Sequence, residues 1–436
     1  MVSQRDTSWM RSREGLGVWK HRGKVAAAGW GVSDMDRRWD GTSLDKTLGA
    51  YAVAASKRAI EDAGLKLDDI DGVVTTPDAQ VNNTWAPRPF FAPPYNSEDG
   101  ITNVTPEWLT KQLGLKNIKY TCGSVSGIAN GVAECISVAA QAVGDGLCKI
   151  ALVNYGMGNI EGRYGQSGPN AADEIRGNAV FSNPWGYQAG AAMPYLIVFK
   201  QYCRKYGKSV DALAPFAVNQ RRNGLMVPWG YYSQHEPYQI TVEDYLSSRY
   251  VEEPLRVLDA DRPVNSSCSF IITTAERARA MKQKPVYILN HCQTRYPTRS
   301  TAPTLEESNE ATDSLARMMW EGSGLGPKDV DVFNPYDGYL QFTQEFLEAF
   351  QWHGVKRGES LDFYADDIRV EGTHPFCPSG GNNGTGRTRY GLFTDSIEQL
   401  RGTAGKRQIR LRCETALAGC TVPTSNGFIM FSKHPS

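Results

Sequence analysis

The sequence predicts an α/β protein built from two copies of one α/β unit, with a loop excursion in the first half. Three pairs of segments carry that prediction. Residues 58–79, RAIEDAGLKLDDIDGVVTTPDA, are echoed by residues 317–338, RMMWEGSGLGPKDVDVFNPYDG: a helix, Gly-Leu, an Asp-(Ile/Val)-Asp turn, then a strand. A Gly/Ser-rich turn opens a helix in CGSVSGIANGVAECI and again in CPSGGNNGTGRTRYGLFTDSI. Each half closes on a β-rich segment, RPVNSSCSFIITT in the first and RQIRLRCETALAGCTVPTSNGFIMF in the second. Repetition of one α/β unit is the economical explanation, and strands alternating with helices imply a mainly parallel, buried sheet in each half.

The elements follow in order. Residues 1–22 precede the first strand-like run, Lys24 to Val32, and read as an arm that is either a mobile tail or a strap over a partner. From Thr42 the pattern is helical, with Leu44, Leu48, Tyr51, Ala55, Ala59, Ile60 and Ala63 on one stripe and Gly64 as C-cap. A buried strand follows at Gly72 to Thr76, and a Pro/aromatic loop at Thr84 to Gly100. Residues 158–254 form the excursion, with two helix-like stretches (AAMPYLIVFKQYCRKYG and one ending NQRRNGLM) and the aromatic run VPWGYYSQHEPY. Segments of this size beside a duplicated core are usually lids or interface elements. The expected division is an arm at 1–22, a first half at 23–284 and a second at 285–436.

Composition excludes several function classes. The 436 residues are 41% hydrophobic and 22% charged, as in ordinary globular proteins. Forty-seven basic residues balance 47 acidic ones, so nucleic acid and anionic membranes are not expected as main partners. The nine cysteines are scattered and never spaced as CxxC, which argues for reduced thiols and against a disulfide framework or a zinc site on this chain. The N-terminus carries charges throughout without an apolar h-region, and no later run is apolar enough to span a bilayer. A cytoplasmic location is the expectation.

With the duplicated halves, AVNQRRNGLM, ITVEDYLSSRYVEEPLRVLDADRPVN, HPFCPSGGNNG and the SIEQLRG helix in hand, the chain from Lys24 to Lys433 resembles the thiolase superfamily, and more closely its sterol-carrier-protein-x-type branch. The resemblance implies the thiolase fold, an α/β architecture of two duplicated βαβαβαββ halves forming a layered α/β/α/β/α core. It also exposes what this chain lacks. Where the family has a nucleophilic cysteine in a pattern like C-x-S-G, this sequence has Ser124-Val125-Ser126-Gly127. A thiolase needs that thiolate at a helix N-terminus, where backbone N–H groups stabilise charge. Where the family has a His-Asp-Cys-Phe-like run, this chain has Tyr336-Asp337-Gly338-Tyr339, and the last histidine turn aligns with Thr388, followed by Tyr390. His374 reads as a loop hydrogen-bonding residue and His291 as a core or strand-end residue. Loss of these thiols and imidazoles disfavours Claisen chemistry through an acyl-enzyme.

The replaced set resembles that of superfamily members that cut the side chain of steroid acyl-CoA thioesters. That resemblance implies retro-aldol cleavage of a β-hydroxyacyl-CoA, with Tyr336 and Tyr390 as acid and base in either order and Asp337 orienting Tyr336. Such a reaction needs a base for the hydroxyl proton, a site for the thioester enolate and an acid for the α-carbon, but no nucleophile. A phenol titrates near 10, so a tyrosine base needs positive charge nearby, and Arg387 and Arg389 flank Tyr390. Ser124 at its helix start, with Gly419 and Cys420 in an Ala-Gly-Cys turn, are the expected enolate-binding elements. Arg221 and Arg222 are the expected contacts for CoA phosphates, and the aromatic run Trp229 to Tyr238 could line an acyl pocket. Tyr339 is expected to pack.

Two rival functions remain on the sequence alone: an atypical thiolase or acyltransferase using a displaced cysteine, Cys122 or Cys420, and a non-catalytic scaffold subunit. The resemblance further implies a homodimer, and an OB-fold, zinc-ribbon-bearing partner subunit that would complete a heterotetramer. No cofactor is expected on this chain; zinc would sit only on the partner.

Overall fold

Alternation of apolar side chains sets the architecture. In the strand Val25–Val32 (β1), Val25 and Ala27 belong to one apolar cluster and Ala26 and Ala28 to another, so the strand is buried on both faces. The computed structural model describes residues 15, 17–38, 43–76, 99–101, 103–123, 131–158, 193–295 and 303–436. Within these, helices Leu48–Ala63 (α1), Pro106–Leu113 (α2) and Gly131–Gly144 (α3) alternate with strands Gly72–Thr75 (β2), Tyr120–Gly123 (β3) and Ile150–Met157 (β4). The excursion contributes helices Met193–Tyr206 (α4), Ala214–Gly224 (α5), Tyr231–His235 (α6) and Val242–Ser247 (α7) and the hairpin Tyr250–Glu252 (β5) and Leu255–Arg256 (β6). Strand Ser266–Thr274 (β7) and helix Ala275–Ala278 (α8) close the first half.

The second half runs through strand Val286–Arg295 (β8), helix Leu305–Ser323 (α9), strand Val332–Asn334 (β9), and helices Thr343–Phe350 (α10) and Ser360–Phe363 (α11). Helices Gly381–Thr385 (α12) and Gly391–Arg401 (α13) follow, then strands Thr415–Val422 (β10) and Ser425–Ser432 (β11). The repeat read in the sequence is visible residue for residue. Helix α1 ends on Gly64 in the left-handed region and passes through a 3-10 turn at Leu67–Asp69 into β2; α9 ends on Gly324 in the same conformation and passes through Pro327–Asp329 into β9.

Nine of the eleven described strands form one sheet, β3-β2-β4-β7-β1-β8-β11-β10-β9, and β5 and β6 pair apart from it. Five strands lie on one side of the β1–β8 seam and four on the other, the order outward β1-β7-β4-β2 answering β8-β11-β10-β9; at the seam Val25, Ala26 and Ala27 pair with Ile288, Tyr287 and Val286. The expected mainly parallel sheets are corrected: only β2–β3, β2–β4 and β9–β10 are parallel. The returning strand β7 lies antiparallel between β4 and β1, and β10–β11 is a hairpin that pairs antiparallel onto β8. Of these antiparallel pairs only β10–β11 is a local hairpin; the others join strands far apart in the chain, so their direction is not visible in the local helix-strand alternation.

Other expectations are adjusted in detail. Leu44 is 58% exposed, outside the buried stripe, and α1 begins at Leu48 with Thr47 capping it by accepting the Ala50 amide. The described end of the arm is a strap on its own core: Trp19 is buried against His291, ring centroids 4.8 Å apart, and the Gly15 and Gly17 amides donate to Glu321 at 2.9 Å. Residues 1–14, most of the Thr84–Gly100 loop and residues 159–192 of the excursion lie outside the described residues.

The rest of the excursion is fastened to the second half. Helix α5 packs on α12 so closely that a Cβ on Gly224 would stand 1.9 Å from the Gly384 carbonyl oxygen, and one on Gly384 2.0 Å from that of Gln220. This contact carries Gln220 to the loop after β9.

Candidate active site

Strand β9 ends at Asn334, and the four residues 335–338 turn away from it into the interior. Tyr336 is 5% exposed and stacks on Phe342 with centroids 6.0 Å apart. Its hydroxyl folds back over Gly338, where an added Cβ would stand 2.1 Å from Oη. Burial raises the Tyr336 phenol above its ordinary range; the Arg389 and Arg387 guanidinium groups oppose that rise, while Asp261 and Cys420 add to it. Tyr339 sets its ring edge-on against Phe342 at 5.5 Å, in the packing role expected of it.

Asp337 acts on Tyr336 through the loop that carries it. Its carboxylate accepts the Asn382 amide at 2.7 Å, the Asn383 amide at 3.2 Å and the Gln220 side-chain amide at 2.6 Å. It thereby ties α12 and α5 to the Tyr336 loop. Gly381, at φ +58°, is required there, since a Cβ would meet Asp337 Oδ2 at 2.0 Å. Burial pushes the Asp337 carboxyl up to about 6, with the Gln220, Asn382 and Asn383 donors acting against it.

The glycine-rich turn brings in the second tyrosine. Tyr390 is fully buried, donates its hydroxyl to Ser266 Oγ at 2.8 Å and lies 5.4 Å from the Trp229 ring. Burial raises this phenol well above its ordinary value. Thr388 meets Thr385 hydroxyl to hydroxyl at 3.4 Å. Between them and Tyr390, Arg389 adopts φ +58°, with its amide donating to Asn382 Oδ1 at 2.6 Å. Cys377 at +48° and Thr421 at +79° are further left-handed non-glycine residues around this site. Such backbone is costly and persists where the surroundings over-determine it.

Gly419 and Cys420 lie within strand β10 rather than in a turn, a correction to the expected Ala-Gly-Cys loop. Pairing with β9 stops at Ala418, so beyond it β11 is the one neighbour of β10 among the described residues. Alternation along a strand then points one of the two amides toward the space beyond β9, where Tyr336 sits. Phe428 fills the space over Gly419, and burial pushes the Cys420 thiol up to about 12. Ser124 lies outside the described residues.

The arginine pair is split by the fold. Arg221 is 2% exposed, with its guanidinium 3.5 Å from the Tyr232 ring centroid and 5.1 Å from that of Tyr238. That enclosure commits it to the two rings. Arg222 is partly exposed and paired with Glu371 at 2.6 Å. His374 contacts His353 at 4.9 Å between ring centroids. Among the described residues no group of three or more His, Cys, Asp and Glu side chains is arranged to hold a metal ion, and no helix is long and apolar enough to cross a membrane.

Two residues escaped the sequence reading. Asp261 is 2% exposed, its amide donates to the Gly338 carbonyl at 3.0 Å, and burial pushes its carboxyl up to about 7 against the pull of Arg387 and Arg389. Tyr155, near the end of β4, has its hydroxyl 3.4 Å from Arg389 Nη1. The available signal was positional: sites in α/β sheets form beyond the carboxyl ends of parallel strands, where Tyr155 follows IALVN.

The family model for the thiolase C-terminal domain matches residues 293–431. The chain is 29% identical over 417 residues to a 17-hydroxy-3-oxo-4-pregnene-20-carboxyl-CoA lyase of Mycobacterium tuberculosis, covering 92% of this chain and 98% of that protein. It is 25% identical over 427 residues to a steroid side-chain-cleaving aldolase of Thermomonospora curvata, covering 92% and 97%. Among solved structures, the Ltp2-ChsH2(DUF35) aldolase superposes with a TM-score of 0.74 at 22% identity, over 94% of this chain and 98% of that one. The fold is that of the thiolases, and the second half carries the match to the thiolase C-terminal domain. Over nearly its whole length the chain is similar to the lyase and the aldolase named above.

Proposed function

We propose that this chain is a carbon-carbon lyase that cleaves a β-hydroxyacyl-CoA by retro-aldol chemistry, giving a ketone or aldehyde and a shortened acyl-CoA. The observation that carries the reading is the Tyr336 loop: a buried phenol whose ionisation Arg389 favours, at the position that the sequence resemblance aligns with a thiolase imidazole. The names of the two relatives supply the substrate class, a steroid or similarly bulky acyl group on CoA.

The steps balance without a nucleophile. A phenolate takes the β-hydroxyl proton, the Cα–Cβ bond breaks to leave a carbonyl product and a thioester enolate, and a phenol protonates the α-carbon. Tyr336 and Tyr390 are the two phenols in this scheme. Charge developing on the thioester oxygen is to be met by backbone N–H groups of Gly419 or Cys420. Asp337 acts through the fold, holding the loop that presents Tyr336. Of the two arginines, Arg222 is the one with solvent access for a CoA phosphate, in competition with Glu371.

A DUF35 partner for this chain accords with its likeness to the Ltp2-ChsH2(DUF35) aldolase. An OB-fold, zinc-ribbon subunit, with zinc confined to it, and a homodimer of this chain at the centre of a heterotetramer complete the proposal. The test is incubation with a panel of β-hydroxyacyl-CoAs, with and without a co-expressed partner. A carbonyl product with a shortened acyl-CoA is the expected outcome. Failure of every bulky substrate with the partner present would oppose it.

A further inference from the structure

The scheme above uses two phenols, but the buried cluster holds a third. Tyr155 projects from β4 into a space that α3 leaves open for it. A Cβ on Gly131, the first residue of α3, would stand 2.6 Å from the Tyr155 ring, so this ring position needs glycine there. The phenol oxygen lies 3.4 Å from Arg389 Nη1. Arg389 is not placed there by chance packing of a long side chain. Its backbone is at φ +58°, and its amide is pinned to Asn382, whose own amide is pinned to Asp337. The hydrogen bonds that fix the Tyr336 loop therefore also fix the cation facing Tyr155.

We propose that Tyr155 is a third phenol of the reacting group, and that Arg389 is a positioning residue that stabilises one negative charge shared between Tyr155 and Tyr336. This deepens the retro-aldol reading and rests on it. The groups facing Tyr155 are Arg389 first, then Cys420 on β10, Arg387 and, across the cluster, Tyr390. Those facing Tyr336 are Arg389, Asp261, Arg387 and Cys420. Burial opposes ionisation of both phenols and the two guanidinium groups favour it; Tyr155 is pushed up to about 12.

Sharing the charge closes the proton account. One phenolate accepts the substrate hydroxyl proton and becomes a phenol. A neighbouring phenol gives a proton to the enolate carbon and becomes the phenolate. The cluster ends with the charge it began with, one proton displaced, and transfer between the phenols restores the start. No oxidant, metal or further reactant enters.

The experiment measures kcat and KM against pH for the wild-type chain with its partner and a cleaved β-hydroxyacyl-CoA, beside Tyr155→Phe, Arg389→Met and Arg389→Lys. The phenolate form should make kcat rise with pH. Tyr155→Phe is expected to lower kcat at least about tenfold with little change in KM. Arg389→Met should move the rise in kcat upward by about one pH unit or more, and Arg389→Lys, which keeps the charge, should recover part of that shift. A merely structural role for Arg389 would not shift the profile. Should Tyr155→Phe fail to fold, the Met and Lys profiles decide the question. Wild-type cleavage with unshifted profiles in both Arg389 variants, or with full kcat in a folded Tyr155→Phe, overturns this inference and leaves the retro-aldol reading standing. A wild-type complex that cleaves nothing overturns both.

Discussion

Gly338 leaves the space that the Tyr336 hydroxyl occupies, since any Cβ at that position would stand 2.1 Å from the phenol oxygen. Gly338→Ala is therefore expected to displace the phenol while leaving the sheet intact. The predicted result is a fall in kcat of about 100-fold or more, with a thermal midpoint within a few degrees of wild type.

Asp337 carries a different burden. Removing its carboxylate in Asp337→Ala leaves the Asn382 and Asn383 amides and the Gln220 side chain without their acceptor in a buried setting. A loss of about 3 kcal/mol in stability is expected. Chemical denaturation compared with wild type checks it; an unchanged midpoint would show that the carboxylate is not a structural tie.

How much of this was legible beforehand differs between elements. The duplicated units, α1 with Gly64 and α9 with Gly324, were plain because helix periodicity and a glycine cap are local signals. The antiparallel course of β7 was not, because strand direction is set by which neighbour the chain returns to. Tyr336 and Tyr390 were found by position within motifs. Arg221 was misjudged as a phosphate contact because charge in a sequence says nothing about the Tyr232 ring that covers it. Tyr155 and Asp261 come to the Tyr336 loop from other parts of the chain, and only tertiary structure could join them to it.

The pH dependence of stability follows from buried carboxyls. Asp259 and Asp337 are raised to about 6, Asp261 to about 7, and Glu345 and Glu398 to about 8, each chiefly by burial. A carboxyl raised in the folded state binds protons more tightly there than when unfolded. Folding is thus favoured while these groups are protonated and loses that contribution as pH rises through their folded values. His353, lowered by burial, acts in the opposite direction. The thermal midpoint should drop by on the order of a few degrees between pH 6 and pH 8; a rise across that window would contradict the assignment.

The two lid arginines should separate cleanly. Arg222→Ala is expected to raise KM for the CoA thioester several-fold with kcat nearly unchanged. Arg221→Met should lower the thermal midpoint, because it removes a buried cation held against Tyr232 and Tyr238. Steady-state kinetics and melting of both variants check the pair, and a reversed pattern would return Arg221 to the CoA site.

The most direct test of carbon-carbon cleavage by phenols is the kcat of Tyr336→Phe on a β-hydroxyacyl-CoA that the wild-type complex cleaves. The variant keeps the ring that stacks on Phe342 and removes only the hydroxyl. A fall of about 100-fold or more is predicted, with KM and thermal midpoint close to wild type. Turnover within about threefold of wild type would contradict the account and return the displaced cysteines Cys122 and Cys420 to consideration.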